Sequence, residues 1–206
     1  MRCSRGLHVE GSKSYIKIPG DRIGALVGPD GTVKNVIERK LSVHLEVDSE
    51  NGTVQITLPP TAEDPTVLFR AKEVVTAIGR GFAPEHAFRL LDDEEIVFEV
   101  IDLREIVGKS PSDLKRLKGR VIGKEGKTRR IIEELSEANI SVYGHTIAII
   151  GYPDQSAIAR EAVSMLIRGS LHGTVYRFLH KKRRELKKER LQLWEPTYRS
   201  SSEKPL

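Results

Sequence analysis

Cysteine is almost missing from this chain of 206 residues. The single one, Cys3, has no partner for an internal disulfide, which points to a reducing, cytoplasmic setting. Aromatic residues are scarce as well, at 5%, so any core has to be aliphatic. No apolar run approaches the roughly 18 residues of a membrane-spanning helix. The opening residues, Met1 to Gly6, lack the apolar segment of a secretory signal. Side-chain amides are few (Asn35, Asn51, Asn139, Gln55, Gln155 and Gln192) beside 31% charged residues, a bias of heat-adapted proteins. Catalytic constellations are missing too. The six histidines (His8, His44, His86, His145, His172 and His180) are scattered with no i, i+4 pair. One cysteine supports no zinc site, and no P-loop occurs. Asp92-Asp93-Glu94-Glu95 is acidic enough to attract a metal but reads better as a solvated linker. The chain is therefore expected not to be an enzyme and to need no metal or cofactor.

What is present is a repeat with an uneven charge. Hydrophobic residues make up 38%, enough for a packed core. The net charge is +5, and residues 181–190 alone, with seven bases and two acids, account for it. The remainder sums to zero, so any other basic patch has an acidic counterpart elsewhere. Gly24-Ala-Leu-Val-Gly28-Pro-Asp-Gly31-Thr-Val-Lys-Asn-Val-Ile-Glu38 aligns without gaps to Gly119-Arg-Val-Ile-Gly123-Lys-Glu-Gly126-Lys-Thr-Arg-Arg-Ile-Ile-Glu133. Farther on, Arg80-Gly81 with Phe88-Arg-Leu-Leu91 matches Arg168-Gly169 with Tyr176-Arg-Phe-Leu179 at the same spacing. Two matches at opposite ends of one unit define two modules, at 10–92 and 94–180, followed by a basic helix and tail at 181–206.

Each module reads alike. Tyr15-Ile-Lys-Ile18 alternates as a strand does and stops at Pro19-Gly20. Short helices flank Gly-x-x-Gly, and two strands follow around Asn51-Gly52, a hairpin signal. A helix then starts near Asp64 or Pro65. In the second module Ile96–Val100 is a strand, Ser110-Pro111 starts a helix, and 140–142 with 146–150 form a hairpin. A helix at 155–167 completes the copy. The order strand, helix, helix, strand, strand, helix predicts an α+β fold: three-stranded, mainly antiparallel sheets with helices on one face.

The Gly-x-x-Gly joint carries the chemistry. Glycine permits positive φ and close backbone approach, and the joint opens onto a helix start, where unpaired N–H groups and the dipole favour phosphate. The segment Val-Ile-Gly-Lys-Glu-Gly-Lys-Thr-Arg-Arg-Ile-Ile at 121–132 resembles the signature of KH domains, whose GXXG loop clamps about four nucleotides. The strand-first order resembles the type I arrangement. More narrowly, the tandem pair resembles the archaeal branch of the "partner of Nob one" (Dim-type) family, as does the ending Arg168-Gly-Ser-Leu-His-Gly-Thr-Val-Tyr176. That resemblance implies single-stranded RNA binding at the 3′ region of small-subunit rRNA during ribosome assembly. It also implies, as partners, an rRNA-trimming endonuclease or a translation initiation factor.

Charge ranks the two copies. Residues 115–130 sum to +7, whereas the equivalent window 20–35 sums to zero. The second loop is thus the expected clamp. Gly123 and Gly126 allow close approach, Lys124 and Lys127 meet phosphates, and Glu125 lies between. Lys118, Arg120, Arg129 and Arg130 line or flank the groove, over a floor of Ile122 and Val142. The first loop, Gly28-Pro29-Asp30-Gly31 with Lys34, departs from the family pattern, because Asp30 stands where a base is usual; a minor RNA contact is expected there. Leu179–Trp194 reads as one basic helix with Leu179, Leu186 and Leu193 on a packing stripe, and 200–206 as a disordered tail. Whether its bases bind RNA or only solvate the helix stays open at this point. So do a role in an RNA degradation or transcription complex and a role as a protein-interaction adaptor.

Overall fold

The computed structural model describes residues 12–194 except 61, 63 and 109, with side chains as far as residue 188. Cys3, the side chain of Leu193 and the tail at 200–206 lie outside the described residues. The first module consists of β1 (Lys13–Lys17), α1 (Ile23–Val27), α2 (Thr32–Leu41), β2 (His44–Asp48), β3 (Thr53–Thr57), α3 (Val67–Gly79), α4 (Pro84–Ala87) and α5 (Arg89–Asp92). The second consists of β4 (Val97–Asp102), α6 (Arg104–Val107), α7 (Pro111–Ile122), α8 (Lys127–Ser136), β5 (Asn139–Tyr143), β6 (Thr146–Gly151) and α9 (Pro153–Ile167), followed by α10 (His172–Trp194). The sheets run β1-β3-β2 and β4-β6-β5. Every pairing is antiparallel, with Lys17 opposite Thr53 in one sheet and Asp102 opposite Thr146 in the other.

Local chemistry explains the boundaries. Ser110 caps α7 by accepting the Asp113 amide, with Pro111 in the first helical position. Asp48 accepts the amides of Glu50 and Asn51 and so shapes the β2–β3 turn, which Gly52 completes at φ 66°. The glutamate that recurs in the repeat has one job in both copies. Glu38 accepts the Leu45 amide at 2.7 Å and Glu133 accepts the Ile140 amide at 2.9 Å, which ties the second helix of each loop to the strand that follows it.

Two boundaries differ from expectation. Helix α3 starts at Val67 because the Asp64 carboxylate accepts the Thr66 amide and holds the preceding residues in a turn. Helix α10 starts at His172, well before Leu179, because Val175 and Leu179 are both fully buried in the second core. Gly173 sits in its first turn, where glycine does not interrupt a helix. The four-residue helices α4, α5 and α6 are too short for hydrophobic periodicity to reveal.

The modules share a strand. Ile147 and Ile149 of β6 face the second core, with Leu117, Val121, Ile132 and Val163. Ala148 and Ile150 face the other way, into the first core with Val74, Val75 and Ile78. All six residues of β6 are buried. Burying an isoleucine contributes about 2 kcal/mol, so this strand fixes one module against the other. Polar contacts frame the seam. Ser141 Oγ donates to the Arg80 carbonyl at 2.9 Å, Tyr143 Oη donates to Asp21, Arg89 donates to Asn139, and Tyr152 Oη donates to Asp93 at 2.6 Å. These carboxylates raise both tyrosine pKa values, and the Tyr152 bond lowers that of Asp93. The acidic run 92–95 is thus partly a strap. Asp92 pairs with Lys40, Asp93 holds Tyr152, and no cluster suited to a metal occurs among the described residues.

Candidate nucleic-acid interface

The two Gly-x-x-Gly joints have the same backbone. Gly28, Asp30 and Gly31 have φ/ψ of 74/174°, 51/27° and 76/13°. Gly123, Glu125 and Gly126 have 72/179°, 54/27° and 74/13°. Glycine is required at the first position on two counts. Its φ/ψ lies in a region essentially closed to other residues. In addition, a Cβ on Gly123 would stand 2.2 Å from Thr128 Oγ1, and one on Gly28 would stand 2.6 Å from Val33 Cγ2. Each joint ends where α2 or α8 begins, with the Thr32 and Lys127 amides donating back to the Pro29 and Lys124 carbonyls of the joint.

Side chains then separate the copies. Lys124 and Lys127 are exposed, and neither side chain makes a hydrogen bond or ion pair among the described residues. Lys118 reaches across to the β5–β6 turn and donates to the Gly144 carbonyl at 2.9 Å. Arg129 leans over β5 toward the Ile140 carbonyl at 3.4 Å and pairs with Glu133 at 3.8 Å. Arg130 folds back onto the Glu125 carbonyl. Ile122 and Val142 are half-buried. Lys118 and Arg129 therefore mark one side of the loop, with β5 and its turn as the opposite wall. Around the first loop, Pro29 and Asp30 are exposed and Lys34 pairs with Glu38 at 3.9 Å.

Arg120, expected to line or flank the groove, lies beside the loop but is engaged within the fold. Its guanidinium turns inward and donates to the carbonyls of Leu166, at 2.9 Å, and Ser170, at 2.7 Å, where α9 ends. In the first module Arg22 donates to the corresponding carbonyls of Ile78 and Phe82. The two arginines do not align in the repeat, so sequence comparison could not pair them. They satisfy equivalent carbonyls from different positions because the first module enters its joint through a short helical turn and the second through the long α7.

The basic helix also divides. Leu179 is in the core and Leu186 packs against it. Lys181 and Lys182 pair with Glu185, Arg183 pairs with Glu134 at 3.8 Å, and Lys187 and Lys188 are exposed. The first turn of α10 lies beside the second loop, a placement the sequence reading missed: Tyr176 Oη is 3.1 Å from Thr128 Oγ1, and His172 Nε2 is 3.0 Å from the Arg120 carbonyl. A signal for it existed in the aligned pairs Val33/Thr128 and Phe88/Tyr176, each of which gains a hydroxyl in the second copy.

Known proteins share this arrangement. Residues 97–184 match the model described as eukaryotic type KH-domain (KH-domain type I), and residues 20–93 match the Krr1 KH1 domain. The KH domain-containing protein MJ0443 of Methanocaldococcus jannaschii is 49% identical over 89% of this chain and 79% of its own length. The pre-rRNA-processing protein PNO1 of Coccidioides immitis is 26% identical over 78% of this chain, which spans 63% of that relative. The aDim2p chain in the crystal structure of an a/eIF2alpha-aDim2p-rRNA complex from Pyrococcus horikoshii is 46% identical. It superposes with a TM-score of 0.79 over 86% of this chain and 97% of its own. With two GXXG joints of one geometry on sheets of one topology, and relatives matched across both modules, this chain belongs to the tandem KH-domain family of Dim-type, partner-of-Nob-one proteins.

Proposed function

We propose that this protein is a cytoplasmic ribosome assembly factor that holds single-stranded rRNA, at the 3′ region of the small subunit, on its second Gly-x-x-Gly loop. One observation carries the reading. A helix start freed by two glycines is surrounded by a window of net charge +7, in which Lys124 and Lys127 are exposed and unengaged. Each phosphate neutralised there adds affinity through counterion release. Gly123, Gly126, Lys124 and Lys127 grip the backbone, Lys118 and Arg129 flank the groove, and Ile122 with Val142 faces the bases. Arg130 and Glu125 shape the loop through their mutual contact, and Arg120 supports it from behind. Gly28, Pro29, Asp30, Gly31 and Lys34 make at most a weak second contact.

The rRNA and the processing role named for the two relatives support this assignment, and the chain binds its RNA without cleaving it. The a/eIF2alpha in the related complex supports a translation initiation factor as a protein partner. An rRNA-trimming endonuclease is the second partner we propose. Replacing Lys124 and Glu125 together by aspartate tests the clamp. Affinity for a short single-stranded rRNA is expected to fall at least about a hundredfold, with a shallower salt dependence. Unchanged affinity and slope would overturn the assignment.

A further inference from the structure

A groove of about 460 Å³ opens on the side of the second loop away from β5, between the end of α7 and the start of α10. Arg116, Lys124 and Lys127 supply its charge, Gly119 part of its floor, and His172 and Tyr176 its far wall. No residue lining it is acidic, whereas each of four other surface grooves carries at least two carboxylates in its lining. Arg116 pairs with Asp113 at 3.2 Å, and its side chain remains 61% exposed. The aromatic wall is held in place. Ring centroids of His172 and Tyr176 are 6.3 Å apart, and each ring is tied at its polar end, to the Arg120 carbonyl and to Thr128.

Gly119 lines this groove, and Gly173 follows His172 of its far wall in sequence. Gly119 sits within α7, where glycine costs about 1 kcal/mol relative to alanine, and Gly173 sits in the first turn of α10. A Cβ on either would meet nothing within 4 Å. Packing does not demand them. The open space beside Gly119 leaves room for a backbone or base to lie close against α7. Beside them Leu171 is 77% exposed, and its carbonyl accepts the Thr174 and Val175 amides where α10 begins.

We infer that this rear groove is a second RNA subsite, which takes one further nucleotide of the strand held in the front groove, its phosphate among Arg116, Lys124 and Lys127 and its base against His172 and Tyr176. The inference rests on the clamp proposed above. It makes Lys124 and Lys127 a ridge with RNA on both sides, and it makes α10 part of the binding surface.

The test compares binding of a four-nucleotide RNA with binding of one about eight nucleotides long, for the wild type, Arg116→Glu and His172→Ala, with a thermal midpoint for each. Arg116 is exposed, so its variant is expected to fold normally. The longer RNA is expected to lose about tenfold in affinity with either variant, and with Arg116→Glu its salt slope should fall by about one; the four-nucleotide RNA should bind as before. Equal losses for both RNAs, or none for either, would overturn the rear subsite and leave the clamp standing. If the wild type binds neither RNA, the clamp itself fails.

Discussion

The two sheets have the same pairing register and opposite surfaces. Thr53, Gln55 and Thr57 of β3 correspond to Thr146, Ala148 and Ile150 of β6, and Glu46 and Asp48 of β2 to Ser141 and Tyr143 of β5. On the first sheet this face is polar, and Tyr15 is 62% exposed on it. On the second it is apolar at its centre and covered by the first module. The loops show the reverse division: the first is neutral and the second strongly basic on an identical backbone. Duplication thus produced two copies of one scaffold that have diverged face by face. The first became the support that covers a sheet, and the second became the one that presents charge.

The largest expected effect that sharpens this contrast concerns the sheets. Ile150→Ala leaves a cavity between the modules and should destabilise the protein by about 3 kcal/mol in denaturant unfolding, while Thr57→Ala at the equivalent position should change stability by less than about 0.5 kcal/mol. Similar losses at both would break the comparison. Next come the loops. Gly123→Ala combines an inaccessible φ/ψ with a 2.2 Å clash and should cost about 2 kcal/mol. Gly126→Ala meets no neighbour closer than 4.0 Å and should cost about 1 kcal/mol for its left-handed φ alone. Smaller again, Pro29→Lys with Asp30→Glu should give the first loop a modest contact, which raises RNA affinity a few-fold at low salt. No gain would mean that the first groove is blocked by more than its charge.

The seam between modules predicts a pH dependence. The Tyr143 and Tyr152 phenols are raised by Asp21 and Asp93. Their stabilisation is therefore complete below the ordinary tyrosine value of about 10 and is lost as pH rises through the raised folded values. Asp93 is held low by the Tyr152 bond, so its contribution is present above the usual carboxylate value of about 4 and is lost as pH falls through the lowered one. Thermal midpoints should decline at both ends of the scale. Tyr152→Phe should weaken both declines, and Tyr143→Phe only the alkaline one.

Much of this was legible in the sequence. The repeat, the antiparallel sheets, the Ser110 cap and the charge contrast of the loops all follow from spacing and residue type, because each depends on neighbours in the chain. The isoleucine-rich run of β6 reads only as one strand of a hairpin; burial of its second face was not legible, since Ala148 and Ile150 find their partners through a contact between modules. The engagement of Arg120 was not legible for the same reason. A basic residue beside a basic loop looks like a phosphate contact until the carbonyls of Leu166 and Ser170 are placed against it. The rear groove depends on where α10 begins, which the burial of Val175 and Leu179 decides.

The most direct test follows the backbone amides of both loops by NMR while single-stranded RNA from the 3′ end of the small-subunit rRNA is added. Large shifts at Gly123–Lys127, with small ones at Gly28–Thr32, are the expected result. Equal shifts in both loops, or a silent second loop, would contradict the assignment of the grip to that cationic helix start.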